Sequence, residues 1–261
     1  MTLSPLPHAL HRFVRIPVLG EEVFRWLTEA RRFAAGWGAG SSVDPQVGGA
    51  VRIRYPNGVE AAGEVLEIEP PVRIVFSYGY ASGQPIPVGA SQVTVELAED
   101  PAGTRLVLRH EFAAAPVRDQ HVAGWRYQLA VFANVVADET FAGAAERIDA
   151  WLVAWAETDA ERRRSAFAAL ATGGVVFRDR YACVEGLDEL AAHVGALQQF
   201  FPGARLERAG EVRHCQGTAL ADWRSRAADG AESGRGTNVF RFAPDGRIAS
   251  VVGFSSPPAA G

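Results

Sequence analysis

A carboxylate is the sharpest chemical candidate in the sequence. In the segment Val175-Val176-Phe177-Arg178-Asp179, strand alternation puts Val175, Phe177 and Asp179 on one face and turns Arg178 and Arg180 to the other. Asp179 then stands at the end of an apolar wall, where lost hydration makes a carboxylate a stronger proton acceptor and suits it to general-base work. An aspartate at a strand end also serves as a turn cap, and that alternative stays open. Four side chains could share a pocket with it: Tyr181, His193, His214 and Trp223. His193 sits at the edge of its helix stripe, His214 shares a face with Leu206 and Val212, and Trp223 alternates with Asp222 and is assigned inward.

A second constellation lies earlier in the chain. His110 shares a strand face with Leu106, Leu108 and Phe112, so it is either a core histidine satisfied by a neighbour or a polar handle inside a ligand cavity. Phe76, Tyr78 and Tyr80 alternate along another strand, and Tyr55 ends a third. The phenols could reach a ligand or only the rim. Trp125 stands in a helical stripe that could close the same space, or serve as plain packing.

Two sets of elements must position these groups. From 8 to 113 the pattern is mostly strands: VRIRY turns at Asn57-Gly58 into EVLEIE, PVRIVFSYGY follows, and SQVTVELAE joins TRLVLRHEF through Asp100–Gly103. GEEVFRWLTEARRF reads as one helix, and 116 to 141 as a long one with Val122, Trp125, Leu129, Phe132 and Val136 in its stripe. After 142 the order restarts. Ile148, Trp151, Leu152 and Trp155 mark a helix, and Thr158 with Glu161 fits a capping box opening another through Leu170. Strand VVFRD, a helix from near Leu187 to Pro202-Gly203, and strands near 204–214, 217–227, 234–243 and 247–254 complete the chain. Each half holds its own helix-on-sheet set, so two α+β domains are expected, 1–142 and 143–261.

Composition narrows the chemistry. The chain has 261 residues, 48% of them hydrophobic and 21% charged, the mix of a soluble globular protein. A net charge of −4 argues against nucleic acid as partner. All 26 basic residues are arginine, which removes Schiff-base and phosphate-loop lysine chemistry. Cys183 and Cys215 form no disulfide framework or metal-ligand spacing and are expected to be small, reduced core residues. No metal site or cofactor is expected, since Walker, G-x-S-x-G and H-E-x-x-H motifs are missing. Gly36-Trp37-Gly38-Ala39-Gly40 reads as a loop, and Arg162–Arg164 as a solvated helix face. With no leader or membrane-spanning stretch in view, the cytoplasm is the expected location and a membrane is not a partner.

The first half resembles the START-like, helix-grip SRPBCC superfamily, and within it the group named for the activator of heat-shock protein 90 ATPase. The carrying text is VFRWLTEARRF with Trp37, the Gly48-Gly49 pair, GEVLEIEPPVRIVFSY, SQVTVELAEDPAGTRLVLRHEF and GWRYQL. This resemblance implies a curved antiparallel sheet gripping a long helix over an apolar cavity. The second half resembles the SnoaL-like branch of the nuclear transport factor 2-like superfamily, through IDAWLVAWAETDAERRRSAF, VVFRDRYACVEGLDELAAHVGALQQFFPG and TNVFRFAPDGRIASVVGF. It implies an α+β cone around a pocket. Three functions fit: binding of a small apolar or aromatic molecule in one or both cavities; a cofactor-independent isomerase, cyclase or dehydratase run by Asp179; or a protein-interaction module. The first fits the excess of apolar over titratable candidates, and a homodimer through the second domain's sheet is the expected assembly.

Overall fold

The computed structural model describes residues 5–256. The chain divides into two units, Met1–Ala137 and Asp138–Gly261.

The first unit runs β1 (His8–Ile16), α1 (Gly20–Thr28), α2 (Ala30–Trp37), β2 (Ser42–Val43), β3 (Ala50–Arg54), β4 (Glu60–Glu69), β5 (Arg73–Tyr80), β6 (Ser91–Asp100), β7 (Gly103–Phe112) and α3 (Ala115–Thr140). Its seven strands form one antiparallel sheet in the order β1-β7-β6-β5-β4-β3-β2. The β3–β4 hairpin turns where Gly58 takes φ 83°, a left-handed conformation that glycine adopts without strain. The helix read as one piece breaks at Glu29, whose backbone is extended. Its carboxylate takes Arg25 at 2.5 Å on one side and Arg32 at 2.5 Å on the other. Gly36 and Trp37 belong to the last turn of α2 rather than to a loop. On α3 the buried stripe is His121, Trp125, Gln128, Leu129, Phe132 and Val136, with Val122 only half-buried. Trp37, Phe132, Leu106 and Leu108 are fully buried, and each large apolar side chain so removed from water contributes about 1.5–3 kcal/mol.

The second unit runs α4 (Ala144–Ala154), α5 (Ala160–Leu170), β8 (Ala171–Arg178), β9 (Cys183–Glu185), α6 (Leu187–Phe200), β10 (Arg205–Arg208), β11 (Arg213–Cys215), β12 (Thr218–Arg226), β13 (Glu232–Phe242) and β14 (Ile248–Ser255). Among the described residues the sheet order is β10-β12-β13-β14-β8-β9, with β11 also on β12, and only β14–β8 is parallel. Asp159, not Thr158, caps α5, its carboxylate accepting Arg162 N–H at 2.9 Å. The segment read as a single strand at 204–214 splits into β10 and β11, which ends the shared face assumed for His214 and Leu206. Both cysteines are free and exposed, so neither is a core residue. Arg163 is buried, so the arginine run on α5 is not wholly solvated. No helix among the described residues is long and apolar enough to cross a membrane.

Candidate functional site

In the first unit a cavity of about 770 Å³ opens between the end of α2, the β3–β4 turn, β5 and α3. Trp37, Tyr55, Tyr78, Tyr80, His121 and Trp125 are among the rings that wall it, and no Arg, Asp or Glu among the described residues lines it. Trp37 and Trp125 meet edge to face at 6.0 Å, and Tyr78 lies 6.2 Å from Trp125.

Behind this wall a hydrogen-bond chain fixes His110. The Trp125 Nε1–H donates to His110 Nδ1 at 2.9 Å. An indole nitrogen can only donate, so Nδ1 carries no proton and the ring N–H is on Nε2, 2.9 Å from Ser91 Oγ. Ser91 Oγ in turn donates to the Tyr78 carbonyl at 2.8 Å. The ring is therefore neutral and fully bonded, and burial, helped by nearby His121, holds its pKa well below the usual 6.5.

His121 repeats the logic at the cavity surface. Its Nδ1–H donates to the Val117 carbonyl at 2.7 Å, which leaves Nε2 to accept the Tyr80 O–H at 3.0 Å. Burial lowers its pKa too. The Tyr55 and Tyr78 hydroxyls lie 3.0 Å apart. Burial pushes Tyr55 up to about 12 and Tyr78 well above its usual value, so both stay protonated phenols. Two O–H protons serve one mutual bond, and the second is left for the nearby Tyr80 hydroxyl or for a ligand acceptor.

The second unit holds a cavity of about 270 Å³ walled by Trp155, Phe177, Leu197, Leu206 and Trp223. Asp179 is the one charged residue lining it among the described residues. Its Oδ1 accepts the Tyr181 N–H at 2.7 Å, and its own N–H donates to the Ala182 carbonyl at 3.0 Å, so the turn after β8 tethers the residue. Oδ2 has no partner among the described residues. Gly253 packs closely beside this residue, since a Cβ there would sit 3.3 Å from Asp179 Cβ and 3.1 Å from Asn238 Oδ1. Trp223 Nε1–H donates to Asn238 Oδ1 at 3.0 Å.

Residues 18–137 match the family described as Activator of Hsp90 ATPase homolog 1-like protein, and residues 148–251 match the SnoaL-like domain. The chain joins an Activator of Hsp90 ATPase homolog 1-like domain to a SnoaL-like domain. Among solved structures, a putative isomerase of the SnoaL-like family from Agrobacterium tumefaciens is 32% identical, covering 43% of this chain and 97% of its own, with TM-score 0.42. CalU16 from Micromonospora echinospora is 25% identical over 55% of this chain and 83% of its own, with TM-score 0.40. The Aha1 dimer from Colwellia psychrerythraea is 14% identical over 47% of this chain and 90% of its own, with TM-score 0.40. Comparison with curated proteins gives no match. Domains of these two families bind hydrophobic ligands or act as isomerases.

In the activator-like domain, Tyr55, Tyr78, Tyr80 and Trp125 line the cavity together. Phe76 and His110 do not: Phe76 packs in the core, and His110 lies buried, tied to Trp125 and Ser91. Sequence reasoning missed His121, although it precedes Trp125 by one helical turn and so shares its face. In the SnoaL-like domain, Phe177, Asp179 and Trp223 line the pocket. Tyr181 is 77% exposed and outside it. His193 packs against Phe177 and Trp155, at 5.9 and 6.2 Å, without lining the pocket. His214 is elsewhere, its ring tilted against Phe141 at 5.3 Å, with Nε2 accepting the Gly217 N–H at 3.0 Å.

Proposed function

We propose that the cavity of the activator-like domain binds a small neutral aromatic molecule bearing a hydrogen-bond acceptor. One observation carries this reading: the cavity is walled by aromatic rings, carries no formal charge among the described residues, and the two histidines and two tyrosines around it with shifted pKa values are all held in their neutral forms. An ionised ligand would lose its hydration there and find no counter-charge. A ketone oxygen would find the spare phenol proton of the Tyr55–Tyr78 pair. Calorimetry with a matched set tests it: 2-acetylnaphthalene, 2-ethylnaphthalene and 2-naphthoate. The ketone should bind best, the hydrocarbon about 3- to 10-fold more weakly for want of one hydrogen bond, and the carboxylate not measurably. Tyr55→Phe should remove the ketone's advantage while leaving the hydrocarbon's affinity in place. Equal binding of ketone and carboxylate would overturn the reading.

Asp179 supports a second reading, an isomerase-type proton transfer without cofactor in the SnoaL-like domain. Its unpartnered Oδ2 on the wall of an apolar pocket is the specific support. For a substrate that turns over, Asp179→Asn keeps an oxygen for the Tyr181 N–H and should cut turnover by about 10² to 10⁴ with the fold retained. Undiminished turnover contradicts the reading.

A further inference from the structure

Arg163 is the middle residue of the arginine run on α5, yet only 6% exposed. Its neighbours reach the surface, Arg162 to Glu157 at 3.2 Å and Arg164 to Asp188 at 2.5 Å. Arg163 itself makes no ion pair among the described residues. Its Nε–H donates to the Ala191 carbonyl at 2.9 Å, and Nη1 donates to the carbonyls of Glu157 and Thr158 at 3.0 and 3.2 Å. A longer contact of 3.5 Å joins Nη1 to Gln198 Oε1. Nη2 has no acceptor among the described residues.

A guanidinium carries five N–H donors and a permanent charge. Every hydrogen-bond acceptor of Arg163 among the described residues is a neutral carbonyl, so no carboxylate touches the guanidinium; Asp159 acts on it only through space, and the two Nη2 protons, which are not sealed in the interior, have no protein acceptor among the described residues. The carboxylates at this end of α5 are engaged: Glu157 holds Arg162 and the Asp159 N–H, and Asp159 caps the helix on Arg162 N–H. Arg163 lines an open hollow of about 480 Å³ with Thr158, Gly195, Gln198 and Gln199. Glycine at 195 is what leaves space at the free nitrogen, because a Cβ there would sit 2.5 Å from Nη2.

We propose that this hollow is a binding site for a compact oxyanion, a carboxylate or phosphate group, which completes Nη2 of Arg163 and gives the guanidinium a direct anionic partner. Thr158 and Gln199 also line it, and their side chains carry a hydroxyl and an amide that can donate. The site is separate from the neutral cavity of the activator-like domain, and it stands or falls independently of that reading.

Titration of the full chain with sodium phosphate and, separately, sodium acetate, at ionic strength held constant with sodium chloride, tests the proposal through the backbone amide signals of Gly195 and Ala196. Saturable shifts are expected with at least one of the two anions, and which one saturates separates a phosphate site from a carboxylate site. Exposed Gln199→Glu places a repelling charge in the lining without touching the core and should weaken binding at least 5-fold; Arg163→Lys, which keeps the charge but loses Nη2, should weaken it similarly. Shifts with neither anion beyond those of chloride, or binding unchanged in both variants, would overturn it.

Discussion

His110 and Trp125 satisfy each other, and this decides what each is worth. Trp125→Ala removes a buried indole and should destabilise the chain by about 3–5 kcal/mol in urea unfolding. His110→Phe keeps the volume but strands the Trp125 N–H, at about 1–3 kcal/mol, and takes from Ser91 Oγ the bond it accepts, leaving its own bond to the Tyr78 carbonyl. Because the His110 pKa is lowered in the folded protein, the unfolded chain binds the proton more readily. Stability is therefore independent of this group above about pH 7.5 and falls below about pH 6.5, by about 1.4 kcal/mol per pH unit, until the folded-state pKa is reached. Buried His121 shifts in the same direction and steepens the fall. Unfolding midpoints between pH 5 and 8 check this, and a flat profile across pH 5 to 6.5 contradicts it.

At the scale of elements, α3 does most of the positioning, since His121, Trp125 and Gln128 all descend from it and Gln128 Nε2–H ties it to the Gly36 carbonyl at 2.8 Å. Gly124 on this helix lines the cavity with nothing within 4 Å of where a Cβ would stand. Gly124→Ala should thus stabilise the helix by about 0.8–1.0 kcal/mol, and Gly124→Phe should fill the cavity and abolish binding of 2-acetylnaphthalene. Alternation and helical spacing made β5, β7, α3 and β8 legible, and with them the inward placement of Tyr78, Tyr80, Trp125 and Phe177. What stayed hidden depended on contacts between distant segments. The burial of Arg163 follows from carbonyls on α6 and the turn before α5, and the bonded state of His110 from Ser91 across the sheet. Periodicity carries no record of such partners.

For the whole molecule, two separately folding domains remain our proposal, and Phe141 shows where to cut. It stacks on Phe242 at 5.5 Å and is buried within the second unit, so a fragment beginning at 143 loses a core aromatic. The fragment 138–261 should be more stable than 143–261 by about 3–5 kcal/mol, the scale of a buried Phe deletion; equal stability contradicts this. A homodimer through the second domain's sheet would cover Phe254, 58% exposed on β14, and sedimentation velocity that shows only monomer at micromolar concentration would end that proposal. The six tryptophans offer the most direct test of the central claim. Trp37 and Trp125 line the neutral cavity, Trp155 and Trp223 line the Asp179 pocket, and Trp26 and Trp151 line neither. Indole N–H signals recorded by ¹⁵N–¹H correlation during titration with 2-acetylnaphthalene should therefore move at Trp37 and Trp125 and stay fixed at Trp155 and Trp223. Movement confined to Trp155 and Trp223, or none at all, would contradict the account.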